Sequence, residues 1–220
     1  AFDEGVDEKG YVRLLTDKEL QASLVPSGVH AGYKILGVDP AAGGDNSAIV
    51  LKSTSNQQVL FNQKLASTMD LVGVIQDAYR DWQCDMIVID KTGIGQGPYD
   101  RLREMDYHVR GIAFGEKAED EMFANLKAEL HWRQRKWVLS GGRLIQNSGW
   151  NEFEVVKYKN RDGKIIIQPK EDLLREGIAS PNVVDAAVLT QAIGDSAIKS
   201  SKMLRNNNQF VDKNIDIWRG

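Results

Sequence analysis

The stretch ILGVDPAAGGDNSAIVLK, residues 35–52, decides the fold. It begins with an apolar run that is typical of a buried strand and that ends at Asp39. Pro40 and two glycines predict a turn after it, and a second strand-like run follows. A carboxylate at the end of a buried strand is costly unless a partner compensates for its desolvation. Asp39 therefore needs a partner.

Strand-like and helix-like runs follow one another in the order β-β-β-α-β-α-β-α. Short polar turns between the first three strands predict antiparallel hairpins, and the wholly apolar later strands are typical of parallel ones. The order predicts an α/β fold with one mixed sheet, in which a meander is followed by parallel strands reached through helices. The predicted strands are 34–38, 48–53, 58–64, 85–90 and 108–114, the helices are 67–82, 97–105, 119–139 and 180–194, and an extra β-hairpin is predicted at 153–168.

The two ends of the chain differ from this central part. Residues 1–32 contain a short helix with Thr16 as its N-cap and then a break with Pro and Gly, which predicts a linker or the remnant of a preceding domain. Residues 33–197 are the predicted folded domain, and residues 198–220 are a polar tail. The chain opens with Ala1 and without a signal peptide, which suggests an excised domain.

Composition limits the class of protein. The 220 residues are 42% hydrophobic and 27% charged, which is ordinary for a globular protein. A net charge of −3 neither indicates nor excludes nucleic-acid binding, because carboxylates of a metal site can mask basic patches. The single Cys84 excludes an internal disulfide and fits a reducing compartment. No apolar run approaches the roughly 20 residues that cross a bilayer, so no membrane association is expected.

Three aspartates are placed where the predicted fold puts functional sites. Asp39 and Asp90 each end a strand, and strands that lie side by side in parallel bring their carboxyl ends to one edge of the sheet. Asp185 shares the apolar face of the last helix, which packs on the sheet. Three such carboxylates would repel one another unless a cation lay between them, and oxygen ligands suit Mg²⁺ or Mn²⁺. A pair of these ions can activate water for phosphodiester cleavage.

Each aspartate also has a structural interpretation. Asp before Pro or Gly is a common turn former, which would explain Asp39 and, before its loop, Asp90. Asp185 in an early turn of a helix would complement the macrodipole. Turns and caps do not easily explain why all three aspartates occupy positions that can meet at one edge of the sheet. Asp45 is predicted to form the hairpin turn, with a place near the metal as the alternative.

Other polar residues carry weaker predictions. The histidines His30, His108 and His131 lack ligand spacing and are expected to have ordinary structural roles. Glu129 is predicted on a solvent-facing side of its helix, and HWRQRKW at 131–137 suits either nucleic acid or the amphipathic end of a helix. The glycine-rich GIGQG lacks the remaining residues of a phosphate loop. Four cations on the hairpin are candidate DNA contacts, or protection for a sheet edge: Lys157, Lys159, Arg161 and Lys164.

Four motifs together resemble the nuclease domain of the large terminase subunit of tailed bacteriophages. They are ILGVDPAAGGDNSAIV, IVIDKTGIGQGPYDRLRE, MFANLKAELHW and SPNVVDAAVLT, and the resemblance covers about residues 33–195. It implies a ribonuclease H-like (RuvC-like) mixed β-sheet flanked by helices, with an extra β-hairpin. It also implies a metal-dependent endonuclease that cuts concatemeric viral DNA during packaging. The family's metal-binding aspartates fall on Asp39, Asp90 and Asp185, with one or two Mg²⁺ or Mn²⁺ ions expected.

The resemblance also implies partners and a location. The expected partners are double-stranded DNA and, in the full-length protein, an ATPase domain, the portal and the small terminase subunit. The expected location is the cytoplasm of the bacterial host. Two departures bear on the metals: Asn182 stands where many relatives carry an acid, and Lys91 adds a cation directly after Asp90. The family's Walker A loop is absent from the chain, so it resembles the nuclease half.

Three alternatives have distinct requirements. An actin-like or sugar-kinase-like ATPase would need a second such domain and a second phosphate loop, and the chain has neither. A non-catalytic docking module of a packaging motor would not need the three aspartates. A RuvC-like resolvase would share the fold, but would dimerise and select branched DNA.

Overall fold

A mixed seven-stranded sheet with helices on both faces forms the centre of the protein. The computed structural model describes residues 5–41 and 44–194. Its elements are β1 (Val12–Arg13), α1 (Asp17–Ser23), β2 (Leu24–Val25), β3 (Ile35–Asp39), β4 (Ser47–Lys52), β5 (Asn56–Gln63), α2 (Thr68–Asp81), β6 (Met86–Asp90), α3 (Gln96–Glu104), β7 (Val109–Ile112), α4 (Leu126–Leu139), β8 (Arg143–Ile145), β9 (Lys157–Arg161), β10 (Lys164–Ile167), α5 (Lys170–Arg175) and α6 (Asn182–Leu189), with short 3₁₀ helices at Gly93–Gly95, Ser148–Glu154 and Thr190–Ala192.

The strand order in this sheet is β2-β8-β5-β4-β3-β6-β7. Strands β3, β4 and β5 form the predicted antiparallel meander, and β6 and β7 continue it in parallel from β3. The predicted mixed α/β sheet is therefore confirmed. Strands β8 and β2 extend the other edge, and the sequence did not reveal them because they have only three and two residues.

Alternation of side chains along β3 builds two cores. Leu36 and Val38 face a cluster that includes Leu71 and Ile75 of α2. Ile35 faces the opposite cluster, which contains the apolar residues of α4 and α6. All six residues of β4 are buried, because helices cover both faces of the sheet at its centre. The helix that carries Asp185 is thereby held against the strand that carries Asp39.

The segment before the predicted boundary at residue 33 belongs to this packing. Leu14, Leu15 and Leu20 are buried in the cluster with α4 and α6, and β2 pairs with β8 in the main sheet. Thr16 caps α1 in a capping box, as predicted. Residues 11–25 are thus part of the same core rather than a free linker.

The predicted extra hairpin is formed by β9 and β10, which pair antiparallel. Strand β1 adds a third strand to it by pairing with β9, with Val12 opposite Tyr158. This small sheet is separate from the seven-stranded one.

Two predicted helix starts are wrong. The long helix begins at Leu126 rather than near residue 119, because the Asn125 side chain caps it by accepting from the Ala128 N–H. The last helix has Pro181 rather than Ser180 at its N-cap, and the Ser180 hydroxyl has no hydrogen-bond partner.

The last helix also ends earlier than predicted. Helix α6 gives way to a 3₁₀ turn at Thr190–Ala192, before the expected end near Gly194. The predicted tail at 198–220 lies outside the described residues. Among the described helices, none has the length and apolar character needed to cross a membrane.

Candidate metal centre

Asp39 and Asp90 end neighbouring parallel strands. The register pairs Val38 of β3 with Ile89 of β6, so the two aspartates follow at the same edge of the sheet. Asp90 Oδ1 accepts a hydrogen bond of 2.9 Å from the Thr92 N–H, which orients its carboxylate. The predicted side-by-side placement of these two carboxylates is present.

Asp185 reaches the same edge from α6. That helix lies so close to β3 that a Cβ on Gly37 would come within 2.0 Å of the Ala186 carbonyl oxygen. Only glycine permits this approach, which brings the residue before Ala186 towards the end of the strand. Asp185 itself is 5% exposed, so it is no surface complement to the helix dipole.

The three carboxylates influence one another electrostatically. Burial and the neighbouring charge of Asp185 raise the pKa of Asp39 well above its usual range, and Asp90 adds to this. Burial is also the main cause of a raised pKa at Asp90. Lys127 and Lys170 act in the opposite direction on Asp39. Ionised together, these carboxylates would repel one another, and a cation between them would relieve the repulsion.

Two lysines beside the centre were not predicted. Lys127 of α4 lies 3.1 Å from Asp185 Oδ2, and its ammonium also lies 4.9 Å from the centre of the Phe114 ring. Lys170 at the start of α5 pairs with Asp45 at 3.3 Å. Asp45 therefore links the connection between β3 and β4 to α5. Lys91, in contrast, pairs with Glu116 at 3.4 Å.

His131 also faces Asp185, contrary to the expectation of an ordinary role. Its Nδ1 lies 2.8 Å from the Lys127 carbonyl oxygen, and its Nε2 lies 3.5 Å from Asp185 Oδ1. His131 Nε2 and Asp185 Oδ1 are both buried without a hydrogen-bond partner. Burial lowers the pKa of His131 to about 4. The i, i+4 spacing of Lys127 and His131 on one helix face was the available signal.

Solved structures share this architecture, although no protein-family model and no curated protein sequence matches the chain. The nuclease domain of the large terminase subunit gp2 of bacterial virus Sf6 superposes with a TM-score of 0.70 and 15% identity, over 81% of this chain and 97% of that one. A mutant of that domain with manganese and beta-thujaplicinol gives 0.71 and 14%, over 81% and 97%. The large terminase nuclease from thermophilic phage G20c with bound magnesium gives 0.58 and 14%, over 78% and 93%.

The chain has the fold of a phage large-terminase nuclease domain. This is the ribonuclease H-like architecture that the four motifs implied, and the expectation of fold is confirmed. The solved structures show the fold, and the role of each residue is inferred from its own contacts in this chain.

Helix α6, which carries Asp185, is capped at its N-terminus by a side chain from another segment of the chain. Glu152 Oε2 accepts from the Val183 N–H at 2.7 Å and from the Val184 N–H at 3.3 Å. Burial raises the pKa of Glu152 to about 7, although both backbone hydrogen bonds oppose this. Glu152 was not predicted, because a capping acid that lies 31 residues before Val183 in the sequence leaves no local signal.

The basic hairpin divides into two halves. Lys157 pairs with Asp7 at 2.9 Å, and the Lys159 ammonium lies over the Tyr11 ring at 4.2 Å. Arg161 and Lys164, at the turn between β9 and β10, are exposed. Lys157 and Lys159 therefore contact the N-terminal segment, and Arg161 and Lys164 are the part of the hairpin that is open to a ligand.

The aromatic and basic stretch of α4 has structural roles. Glu129 is buried and accepts from Arg133 at 2.6 Å and from the Glu119 N–H at 2.7 Å, so its predicted solvated position is wrong. Arg135 bonds to Glu19 at 3.0 Å. These contacts hold α4 in place and give Arg133 and Arg135 partners within the protein.

A groove of about 310 Å³ adjoins the centre. Lys127 and Lys170 both line this groove, and Lys127 also contacts Asp185. Its other walls are Phe114, Gly115, Asn125, Ile166, Ile167, Gln168, Pro169 and Glu171.

The donors of this centre suit the divalent cation that the terminase-type fold implies. Asp39, Asp90 and Asp185 offer oxygen atoms, and the buried Asp185 Oδ1 has no partner in the protein. As they stand, no three His, Cys, Asp or Glu side chains within residues 5–41 and 44–194 are grouped tightly enough to hold an ion. Binding therefore requires rotations of these side chains towards one another.

Proposed function

We propose that this chain is a divalent-metal-dependent endonuclease that cuts double-stranded DNA. The observation that carries the proposal is the meeting of three partly or fully buried aspartates from β3, β6 and α6 at one sheet edge. A fold without such a function has no reason to gather three repelling carboxylates there. The likeness to terminase nuclease domains supports the same interpretation.

Asp39, Asp90 and Asp185 would hold one or two ions of Mg²⁺ or Mn²⁺. When bound, such ions activate water and stabilise the leaving oxygen in phosphodiester cleavage. The protein's own part is to fix the carboxylates on rigid elements, with the Thr92 N–H orienting Asp90 and the close α6–β3 contact placing Asp185. Asn182 donates to the Asn46 carbonyl oxygen at 2.9 Å, and its amide supplies no fourth carboxylate.

The groove beside the centre would receive the DNA backbone. Lys127 and Lys170 line it, and ammonium groups in an open channel suit phosphate oxygens. The exposed Arg161 and Lys164 would add contacts further along the duplex. With a net charge of −3, the isolated chain should bind DNA weakly and with a strong dependence on salt.

We place this activity in a phage packaging motor, where the nuclease cuts concatemeric DNA in the cytoplasm of the bacterial host. The support is the fold, which the chain shares with large terminase nuclease domains. In that setting an ATPase domain, the portal and the small terminase subunit are the proposed partners.

Plasmid nicking tests the proposal. The wild-type chain should nick and linearise supercoiled plasmid with Mn²⁺ or Mg²⁺, with little sequence preference, and EDTA should stop it. Asp39→Asn and Asp90→Asn should abolish cutting, because each removes a charged oxygen donor. Asp70→Asn is the matched control, since Asp70 lies in α2 on the other face of the sheet and should leave cutting unchanged.

Four results would contradict the proposal. Cutting in EDTA, or full cutting by Asp39→Asn, would remove the metal centre from the reaction. A wild-type chain that binds Mn²⁺ without cutting any DNA would favour a docking module. Selective cutting of four-way junctions over plasmid would favour a resolvase.

A further inference from the structure

His131 and Asp185 present two buried atoms to each other, and neither has a partner. Nε2 of the imidazole and Oδ1 of the carboxylate are 3.5 Å apart, and both lack a hydrogen bond. The other polar atom of each side chain is bonded: Nδ1 to the Lys127 carbonyl oxygen and Oδ2 to the Lys127 ammonium. Nε2 of His131 and Oδ1 of Asp185 are therefore the polar atoms of these two side chains that still lack a hydrogen bond.

The tautomer of the imidazole follows from its bonded atom. A carbonyl oxygen can only accept a hydrogen bond, so Nδ1 of His131 carries the proton. In the neutral ring Nε2 then has a lone pair, and this lone pair lies towards the carboxylate oxygen. Two acceptors facing each other in a buried site are unfavourable unless something positive lies between them.

A shared cation satisfies both atoms. Neighbouring donors about 2.1 Å from one ion lie about 3.0 Å apart in the octahedral geometry of Mg²⁺ and Mn²⁺. The observed 3.5 Å is long for a direct hydrogen bond, and a small movement of the two side chains towards each other would bring both atoms onto one ion. Histidines that bind metals commonly donate their other ring N–H to a backbone carbonyl, which is the contact that His131 makes with Lys127.

We propose that His131 Nε2 and Asp185 Oδ1 bind the same divalent cation. This inference rests on the proposed function, because it takes Asp185 as a residue of the metal centre. It adds a nitrogen donor to a set of carboxylates. Imidazole suits transition metals better than Mg²⁺, so His131 should raise the affinity for Mn²⁺ and Co²⁺ more than the affinity for Mg²⁺.

Pulsed electron paramagnetic resonance of the Mn²⁺-loaded full chain tests the proposal directly. Only three histidines are present, so labelling histidine with ¹⁵N gives a simple spectrum. The wild-type protein should show coupling between Mn²⁺ and a directly bound ring nitrogen. His131→Gln should lose it, and His108→Gln should retain it, because His108 contacts the Asp85 carbonyl at the end of β6 opposite to Asp90.

Metal titrations give a second readout. His131→Gln should raise the Kd for Mn²⁺ by about tenfold or more, and the Kd for Mg²⁺ should change much less. If His131→Gln does not fold, ¹⁵N coupling that persists in both His30→Gln and His108→Gln assigns the bound nitrogen to His131.

The outcomes separate this inference from the proposed function. Mn²⁺ bound without nitrogen coupling, in a protein that still nicks plasmid, would overturn the histidine ligand and leave the nuclease intact. Nitrogen coupling in a protein that never cuts DNA would support the ligand and overturn the nuclease. A wild-type chain that binds no Mn²⁺ and cuts no DNA would overturn both.

Discussion

The backbone of Gly37 in β3 is in direct contact with the backbone of Ala186 in α6. A Cβ at Gly37 would lie 2.0 Å from the Ala186 carbonyl oxygen and 2.7 Å from Thr190 Cγ2. The contact sets the distance between the strand of Asp39 and the helix of Asp185. Adding one methyl group at Gly37 therefore tests whether the spacing between α6 and β3 controls the metal centre.

Gly37→Ala should destabilise the protein by roughly 3 kcal/mol and abolish metal-dependent nicking, because backbone atoms cannot yield as side chains do. Gly73→Ala is the matched control. Gly73 lies within α2 with nothing near its missing Cβ, so alanine should be neutral or stabilising by up to about 1 kcal/mol. Urea unfolding measures both. A Gly37→Ala protein of unchanged stability and activity would show that α6 is free to shift.

Glu152 makes the stability of α6 depend on pH. Its pKa rises from 4.5 to about 7 in the folded protein, mainly through burial. Between these values the folded protein binds more protons than the unfolded chain, so the free energy of unfolding falls as pH rises through the interval.

Glu152→Gln keeps an oxygen acceptor for the Val183 N–H and removes the charge. Near neutral pH it should stabilise the protein by roughly 1–2 kcal/mol, and the fall in stability between pH 4.5 and about 7 should become shallower. The control is Glu154→Gln, since Glu154 is exposed two residues away. Equal pH slopes for wild type and Glu152→Gln, measured by urea unfolding, would contradict the prediction.

The sequence predicted the parts of the fold whose pattern is local. The apolar runs at β3, β4 and β6 identified buried strands, and periodicity identified α2 and α6. It did not predict β2 and β8, because two or three residues carry no period. The packing of Leu14, Leu15 and Leu20 was also missed, since it depends on partners in α4 that are more than a hundred residues away.

The site divides in the same way. The positions of Asp39 and Asp90 at strand ends and of Asp185 on a buried helix face were predicted, because both kinds of position can be inferred from spacing. Lys127, His131 and Glu152 were not, because their importance lies in contacts between α4, α6 and the 3₁₀ segment. A lone histidine in a helix has the same sequence pattern whether it packs in a core or faces a carboxylate.

Asp39→Asn should separate charge repulsion from metal binding. Burial and the charge of Asp185 raise the pKa of Asp39, so the folded protein keeps this proton to higher pH than the unfolded chain does. The free energy of unfolding therefore falls as pH rises from 3.8 towards the pKa in the folded protein. In EDTA at neutral pH the mutant should therefore melt a few degrees above wild type. Millimolar Mn²⁺ should raise the melting temperature of wild type and hardly change that of the mutant. An equal Mn²⁺ shift in both proteins would remove Asp39 from the metal centre.

The two halves of the basic hairpin should respond differently to mutation. Lys157 and Lys159 contact the N-terminal segment at Asp7 and Tyr11, so replacing both with Gln should lower the melting temperature. Arg161 and Lys164 are exposed, and replacing both with Gln should leave the melting temperature unchanged.

DNA binding should show the opposite pattern if the exposed half contacts phosphates. Each phosphate contact adds about 0.9 to the slope of log affinity against log salt, so removing Arg161 and Lys164 should lower that slope by up to about 1.8. Anisotropy of a labelled duplex, titrated at several salt concentrations in Ca²⁺ or EDTA, measures the slope without cleavage. An unchanged slope and an unchanged nicking rate would show that the hairpin turn lies away from the DNA, and the groove of Lys127 and Lys170 would then be its main contact.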